Sequence, residues 1–310
     1  MKKPAPKIYR TTNWSSYNQA LIKRGNISIW FNPKTQWYAQ PQGKHGRNQT
    51  YSDTAIQCCL MIKSLFRLSL RMVTGFVQSL IKLCGLNWAA PDYSTLCRRQ
   101  KHIDIAISYQ KSREGLHLLV DSTGLKFLGE GEWKRKKHHP EYRRQWRKLH
   151  IGIDAETLQI RAVQLTTNNI SDSQVLGDLL NQIPLDEQID SVYTDGAYDT
   201  KQCRQVIADR QAYAVIPPRK NAKPWKDNKV HSRERNELLR TVKRFGRTLW
   251  KKWSGYHRRS LVETKMHCIK LLSDKLSARN FQSQVNEVHA RIAILNNFTE
   301  LGRPHTQVVT

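Results

Sequence analysis

The apolar positions along the chain fall into two regimes. Residues 53–67 and 69–83 are mainly apolar and read as two helices, the first capped by Ser52 and the second ending at Gly85. A shorter helix is expected over 16–24, stopped by Gly25, and the polar run KTQWYAQPQGKHGRNQT reads as loop. Ser94 is placed to cap one more short helix, 95–102. From residue 117 the pattern becomes that of strands. HLLVDSTGLKF is a largely apolar run; WRKLHIGIDAET and LQIRAVQLTTN alternate and form a hairpin about a turn at Asp154–Thr157. Asp172 or Ser171 caps a helix over 173–183, IDSVYTDGAYD is a fourth strand, Asp199 or Thr200 caps a helix over 200–210, and AYAVIPPRK is a fifth strand. A basic, polar stretch, 219–241, leads into one long helix over 242–277, and a last helix spans 282–300.

The order β-β-β-α-β-α-β-α predicts an α/β fold with a mixed sheet whose first three strands are antiparallel. It matches the ribonuclease H-like fold, in which the first and fourth strands are central neighbours and the third helix packs near their ends.

Against that pattern three carboxylates stand out. Asp121 interrupts an apolar strand, where a charge is costly unless it is paired or binds metal. Asp195 ends another apolar strand and precedes Gly196, a residue that leaves room for a ligand. Glu263 belongs to YHRRSLVETKMHCIK, where Tyr256, Arg259, Glu263 and Lys270 recur at offsets of 3, 4 and 7. On a helix, these offsets fall within a stripe roughly 60° wide. Bland readings exist for each acid: a salt bridge for Asp121, a turn for Asp195, a pair with Arg259 or Lys270 for Glu263. His267, one turn beyond Glu263, is more simply a packed residue than a ligand. Asp154, Asp172 and Asp199 read as turn and cap residues.

Charge narrows the choice of partner. Lys and Arg total 52 against 25 Asp and Glu, a net charge of +27, which points to a polyanion and first to nucleic acid. Residues 1–52 hold no Asp or Glu and interleave cations with Trp14, Tyr17, Trp30, Trp37 and Tyr38. The helix 95–102 carries Arg98, Arg99 and Lys101, so 69–102 resembles a helix-turn-helix reader of DNA. WKRKKHHPEYRRQWRKLH, with Arg135, Lys136 and Lys137, is expected as a loop or strand extension that tracks DNA. The apolar region 55–86 is broken by Lys63, Arg67, Arg71 and Lys82, too often for a membrane span. The six cysteines show no zinc-type spacing and suit reduced thiols in the cytosol. Expected boundaries are 1–112 for a basic, mainly helical DNA-binding region, 113–300 for the catalytic domain and 301–310 for a tail.

Y-x2-R-x3-E-x6-K at Tyr256, Arg259, Glu263 and Lys270 is similar, without a gap, to the signature of DDE transposases of bacterial insertion sequences. VDSTGLK and YTDGAYDT resemble the two Asp motifs of that family, and NWSSYNQALIKRGNISIWF and PDYSTLCRR resemble its IS-five branch. The resemblance implies that Asp121, Asp195 and Glu263 are catalytic and hold two Mg²⁺ ions, with Mn²⁺ as a substitute. It implies cleavage at terminal inverted repeats by metal-activated water and joining of the 3′-hydroxyl ends to target DNA. Tyr256, Arg259 and Lys270 would then hold DNA phosphates. It further implies at least a dimer in the paired-end complex, no membrane partner, and a cytoplasmic, nucleoid-associated protein. Two alternatives stay open: a sequence-specific DNA-binding protein without catalysis, and a nuclease or resolvase of the same fold.

Overall fold

A computed structural model describes residues 8–41, 43, 48–112, 114–129, 131–138 and 145–309. Before the first long strand come β1 (Ile8–Thr11), α1 (Trp14–Arg24), α2 (Ile27–Trp30), α3 (Asp53–Leu65), α4 (Leu70–Leu83) and α5 (Tyr93–His102). Then follow β2 (Leu116–Phe127), α6 (Glu132–His138), β3 (Arg147–Asp154), β4 (Ile160–Thr167), α7 (Asp172–Asn181), β5 (Ile189–Tyr193), α8 (Lys201–Asp209) and β6 (Tyr213–Val215). The chain ends with α9 (Val230–Phe245), α10 (Arg247–Trp253), α11 (Ser260–Leu272), β7 (Lys275–Leu276), α12 (Phe281–Leu301) and β8 (Thr306–Val309).

Two compact units form, residues 1–108 with 293–310, and residues 109–292. β8 pairs antiparallel with β1 within the first of these units. In this first unit Ser52 caps α3 by accepting from the Ala55 amide, as its sequence position suggests. Leu60, Ile62, Val73, Val77, Ile81 and Leu96 are buried on α3, α4 and α5. Val73, Val77 and Ile81 recur every four residues, one stripe of an amphipathic helix. α5 begins earlier than expected, because Asp92 rather than Ser94 is its cap; Asp92 accepts from the Ser94 amide at 2.8 Å.

The second unit is built on a sheet of order β4-β3-β2-β5-β6. β2 runs antiparallel to β3 and parallel to β5, and β5 runs parallel to β6. Side chains alternate along a strand. Leu116, Leu118 and Val120 of β2 therefore join Leu176, Leu179 and Leu180 of α7 and Ile207 of α8 in one core. The opposite face, on which Leu119 and Asp121 stand, is packed by α11, with Val262, Met266 and Ile269 buried. Ser171 closes a capping box with Gln174 at the start of α7, and Thr200 caps α8. Asp199 is instead buried between Arg204 (3.0 Å) and Arg235 of α9 (2.9 Å), a partner set its position in sequence did not reveal.

Two expectations fail here. The single helix over 242–277 is broken into α9, α10, a 3-10 turn at Tyr256–Arg259, and α11. The breaks fall at Gly246 (φ +85°) and Gly255 (φ +64°), left-handed conformations that only glycine adopts without strain. The basic segment after β2 is also not simply a loop, since α6 occupies its start; the side chain of Arg135 and residues 139–144 lie outside the described structure.

Candidate active site

β2 and β5 are paired as far as Leu119 and Tyr193. Asp121 and Asp195 each stand two residues beyond that last pair, where the adjacent parallel strands separate. A crevice beyond the carboxyl ends of parallel strands is where open α/β sheets place ligands. Asp195 caps a 3-10 turn by accepting from the Ala197 amide through Oδ1 at 2.8 Å. A Cβ at Gly196 would stand 3.3 Å from the Pro217 carbonyl, so the missing side chain permits close packing of the turn there. Glu263 comes from the first turn of α11, where the helix dipole favours an anion.

One guanidinium joins the three acids. Arg259 donates from Nη2 to Asp121 Oδ2 at 2.5 Å and from Nη1 to Glu263 Oε1 at 2.9 Å. The same Nη2 lies 4.0 Å from Asp195 Oδ2. The side chains of Asp121 and Arg259 are 13% and 15% exposed, whereas Glu263 is 60% exposed, so the pair with Asp121 is the stronger tie. Arg259, expected to face a phosphate, here faces the carboxylates, and the i, i+4 pair with Glu263 forms as well.

Burial pushes the Asp121 carboxyl up; Arg259 and the Ser122 amide oppose this, and Asp195 adds to it. Burial also raises the Tyr256 phenol; Arg259 opposes this and all three acids reinforce it. The phenol is thus a hydrogen-bond donor at neutral pH. For Arg259 burial works against the charge, but Asp121, Tyr256 and Asp195 outweigh it and the guanidinium is held more firmly protonated.

Three carboxylates around one guanidinium leave two negative charges, in a chain whose net charge is +27. Hard oxygen donors with that residual charge suit a divalent cation such as Mg²⁺. Arg259 spreads the three groups about itself, and among the described residues no three His, Cys, Asp or Glu side chains are gathered closely enough to ligate a metal as they stand. His267 is exposed on α11 and joins no such group.

A polar layer lies behind Asp121 that the sequence reading missed. Asp172 Oδ1 accepts from Ser122 Oγ at 2.8 Å and Lys148 Nζ at 3.0 Å, with His150 Nδ1 at 3.6 Å. Of the two residues expected to cap α7, Ser171 fills the position, and Asp172 turns to these strands instead. Burial lowers the His150 pKa to about 4, Asp172 opposing and Lys148 assisting, so the ring is neutral at pH 7. The unfolded imidazole would titrate near 6.5, so this contribution to stability is complete above that pH and is lost as pH falls towards about 4. The shift corresponds to about 3 kcal/mol. Thermal denaturation should therefore show a loss of stability between pH 6.5 and 4 that His150→Gln reduces; an unchanged slope would contradict the assignment.

Of the other expected residues, Lys270 is half-buried two turns beyond Glu263, and Lys136 and Lys137 are exposed on α6. Lys136 pairs with Glu132 at 3.5 Å, and Lys137 lies 4.8 Å from the Trp133 ring centre. Arg98 and Lys101 are exposed on α5. Arg99 is not free to read a base: it donates to the Tyr51 carbonyl at 2.8 Å and pairs with Asp53. Trp250 is buried and Trp225 packs under Arg235 at 4.4 Å, whereas Trp253 is exposed.

This sheet order, with two acids at adjacent strand ends and a third from the helix packed beside them, defines a ribonuclease H-like fold with an acidic site. A family model described as a transposase DDE domain matches residues 112–297, more than half of the chain, and a second of the same description matches residues 22–130. The chain belongs to the DDE transposase family, whose members are nucleic-acid-cutting, transposition enzymes that generally use divalent metal ions. Among the described residues, no helix is long and apolar enough to cross a membrane.

Proposed function

We propose that this chain is the transposase of a bacterial insertion sequence of the IS-five-like branch, acting at the terminal inverted repeats in the nucleoid. Convergence of Asp121, Asp195 and Glu263 on one guanidinium is the observation that carries the reading. Asp121 Oδ2, Asp195 Oδ2 and the Glu263 carboxylate would hold two Mg²⁺ ions, which supply Lewis-acid stabilisation of the attacking and leaving oxygens. Arg259 exchanges its carboxylate partners for a DNA phosphate, which its planar fork fits in bidentate fashion. Tyr256 donates its hydroxyl proton to a neighbouring phosphate oxygen, and Lys270 adds a point charge further along α11. In the first step water attacks phosphorus and the P–O3′ bond breaks, giving a 3′-hydroxyl and a 5′-phosphate. In the second step that hydroxyl attacks a target phosphodiester. One P–O bond forms as another breaks, and the attacking hydroxyl's proton passes to the leaving oxygen. Two ends must be held together, which calls for at least a dimer in the working complex.

Exposed Arg98 and Lys101 on α5, with the cations of α6, support DNA contact outside the acidic site. Arg98→Ala should lower discrimination between the cognate end and random DNA. Arg99→Ala should instead lower the melting temperature, by about 1 kcal/mol of lost hydrogen bonding, and leave discrimination unchanged. The reverse pattern would exchange their roles. The proposal is tested by incubating the protein with DNA carrying the terminal repeats of its own element and Mg²⁺. A nick at the element end exposing a 3′-hydroxyl is expected; intact DNA, bound but uncut, would favour a binding protein without catalysis.

A further inference from the structure

We infer that Asp172 is a positioning residue for the reaction: through Ser122 it sets the orientation of Asp121 from the opposite face of the sheet. Ser122 follows Asp121 in β2, so its side chain points away from α11 towards the start of α7. Its hydroxyl donates to Asp172 Oδ1 at 2.8 Å, and its backbone amide donates to Asp121 Oδ1 at 2.9 Å. That amide is available because β2 lies beyond its last pair with β5 at this point. Asp121 Oδ1 is thus occupied from behind, and Oδ2 is turned to the site, where it meets Arg259 at 2.5 Å.

Asp172 is itself held on several sides. It stands in the first turn of α7, where the helix dipole favours a carboxylate. Lys148 bridges it to the Ile170 carbonyl, with distances of 3.0 and 2.9 Å. The buried His150 ring is fixed by a 2.9 Å contact between Nε2 and Thr166 and keeps its Nδ1 beside Asp172. Tyr198 closes the 3-10 turn that Asp195 caps. Its hydroxyl is buried without a hydrogen-bond partner. Burial first, then Asp172, Asp121 and Asp195, push its ionisation far above the ordinary phenol range. A layer built only for packing has no need of four polar groups behind a single ligand; side chains that orient ligands do.

The role holds only if Asp121 is a metal-holding carboxylate, as proposed above. Mn²⁺ binding to the full chain is followed by electron paramagnetic resonance, beside end cleavage as a function of Mn²⁺ concentration. Ser122→Ala and Asp172→Ala should each weaken Mn²⁺ binding and raise the Mn²⁺ concentration for half-maximal cleavage by about 10-fold or more. End binding should be retained, and Ser122→Thr, which keeps the hydroxyl, should restore most of the loss. Ser122→Ala decides the matter if Asp172→Ala does not fold. Wild-type Mn²⁺ affinity in folded Ser122→Ala, with Asp121→Asn defective, would overturn the positioning role alone. Undiminished Mn²⁺ binding by Asp121→Asn would overturn the metal reading, and the role of Asp172 with it.

Discussion

Asp195→Asn is expected to abolish metal-dependent strand cleavage while leaving binding to the element end intact. Asp195 caps its own turn through Oδ1 and offers Oδ2 to the site, and an Asn keeps the size and the capping oxygen. What it removes is the negative charge. Lewis-acid stabilisation of a phosphoryl transition state is worth several kcal/mol, and each 1.36 kcal/mol is tenfold in rate. Losing one of three anionic ligands should therefore cost on the order of 10³-fold in cleavage. Binding should hold or tighten slightly, because a negative charge beside the DNA backbone has gone. Rates are read by gel from end-labelled DNA, and affinity by fluorescence anisotropy at fixed salt. Cleavage near the wild-type rate would remove Asp195 from the site.

Arg259→Ala has the second largest expected effect, and it acts on stability before it acts on DNA. The guanidinium neutralises Asp121, whose side chain is 13% exposed, and bonds to Glu263 as well. Removing one partner of a buried ion pair costs about 3–5 kcal/mol. Discounting for the exposure of Glu263 and Asp195 leaves about 2–3 kcal/mol. For a unit of this size that is a fall in melting temperature of about 5–10 °C. Adding Mg²⁺ should recover more stability in the variant than in the wild type, since the carboxylates then gain another counter-charge. An unchanged melting temperature without divalent ions would mean that Arg259 is not their counter-ion in solution.

Much of this was legible in the sequence because the signals were local. The strand pattern around Asp121 and Asp195, the turn at Asp154–Thr157 and the Ser52 cap all depend on residues a few positions apart, and each element formed, although the strand before Asp195 stops at Tyr193 and gives way to a 3-10 turn over Gly196–Tyr198. The long helix was misread for an equally local reason. Gly246 and Gly255 were within reach, but their left-handed φ is not implied by composition alone. The roles of Asp172 and Arg99 were hidden for another reason. Asp172 meets Ser122, Lys148 and His150 from two neighbouring strands, and Arg99 meets Tyr51 and Asp53, on either side of the cap that starts α3. Such partners are separated by 22 to 50 residues and come together only through the fold. The proximity of Arg259 to Glu263 was foreseeable from their i, i+4 spacing, but its reach to Asp121, 138 positions away, was not.

Strand transfer from pre-cut ends tests the role of the three carboxylates most directly. A duplex ending in the exposed 3′-hydroxyl of the terminal repeat is incubated with wild-type protein, target plasmid and Mg²⁺. Plasmid covalently joined to the element 3′ end is expected, with no product in chelator or with Asp195→Asn. Efficient end cleavage with no joined product would make the protein a nuclease of this fold. Joining that persists in chelator or in Asp195→Asn would contradict the assignment of the three carboxylates altogether.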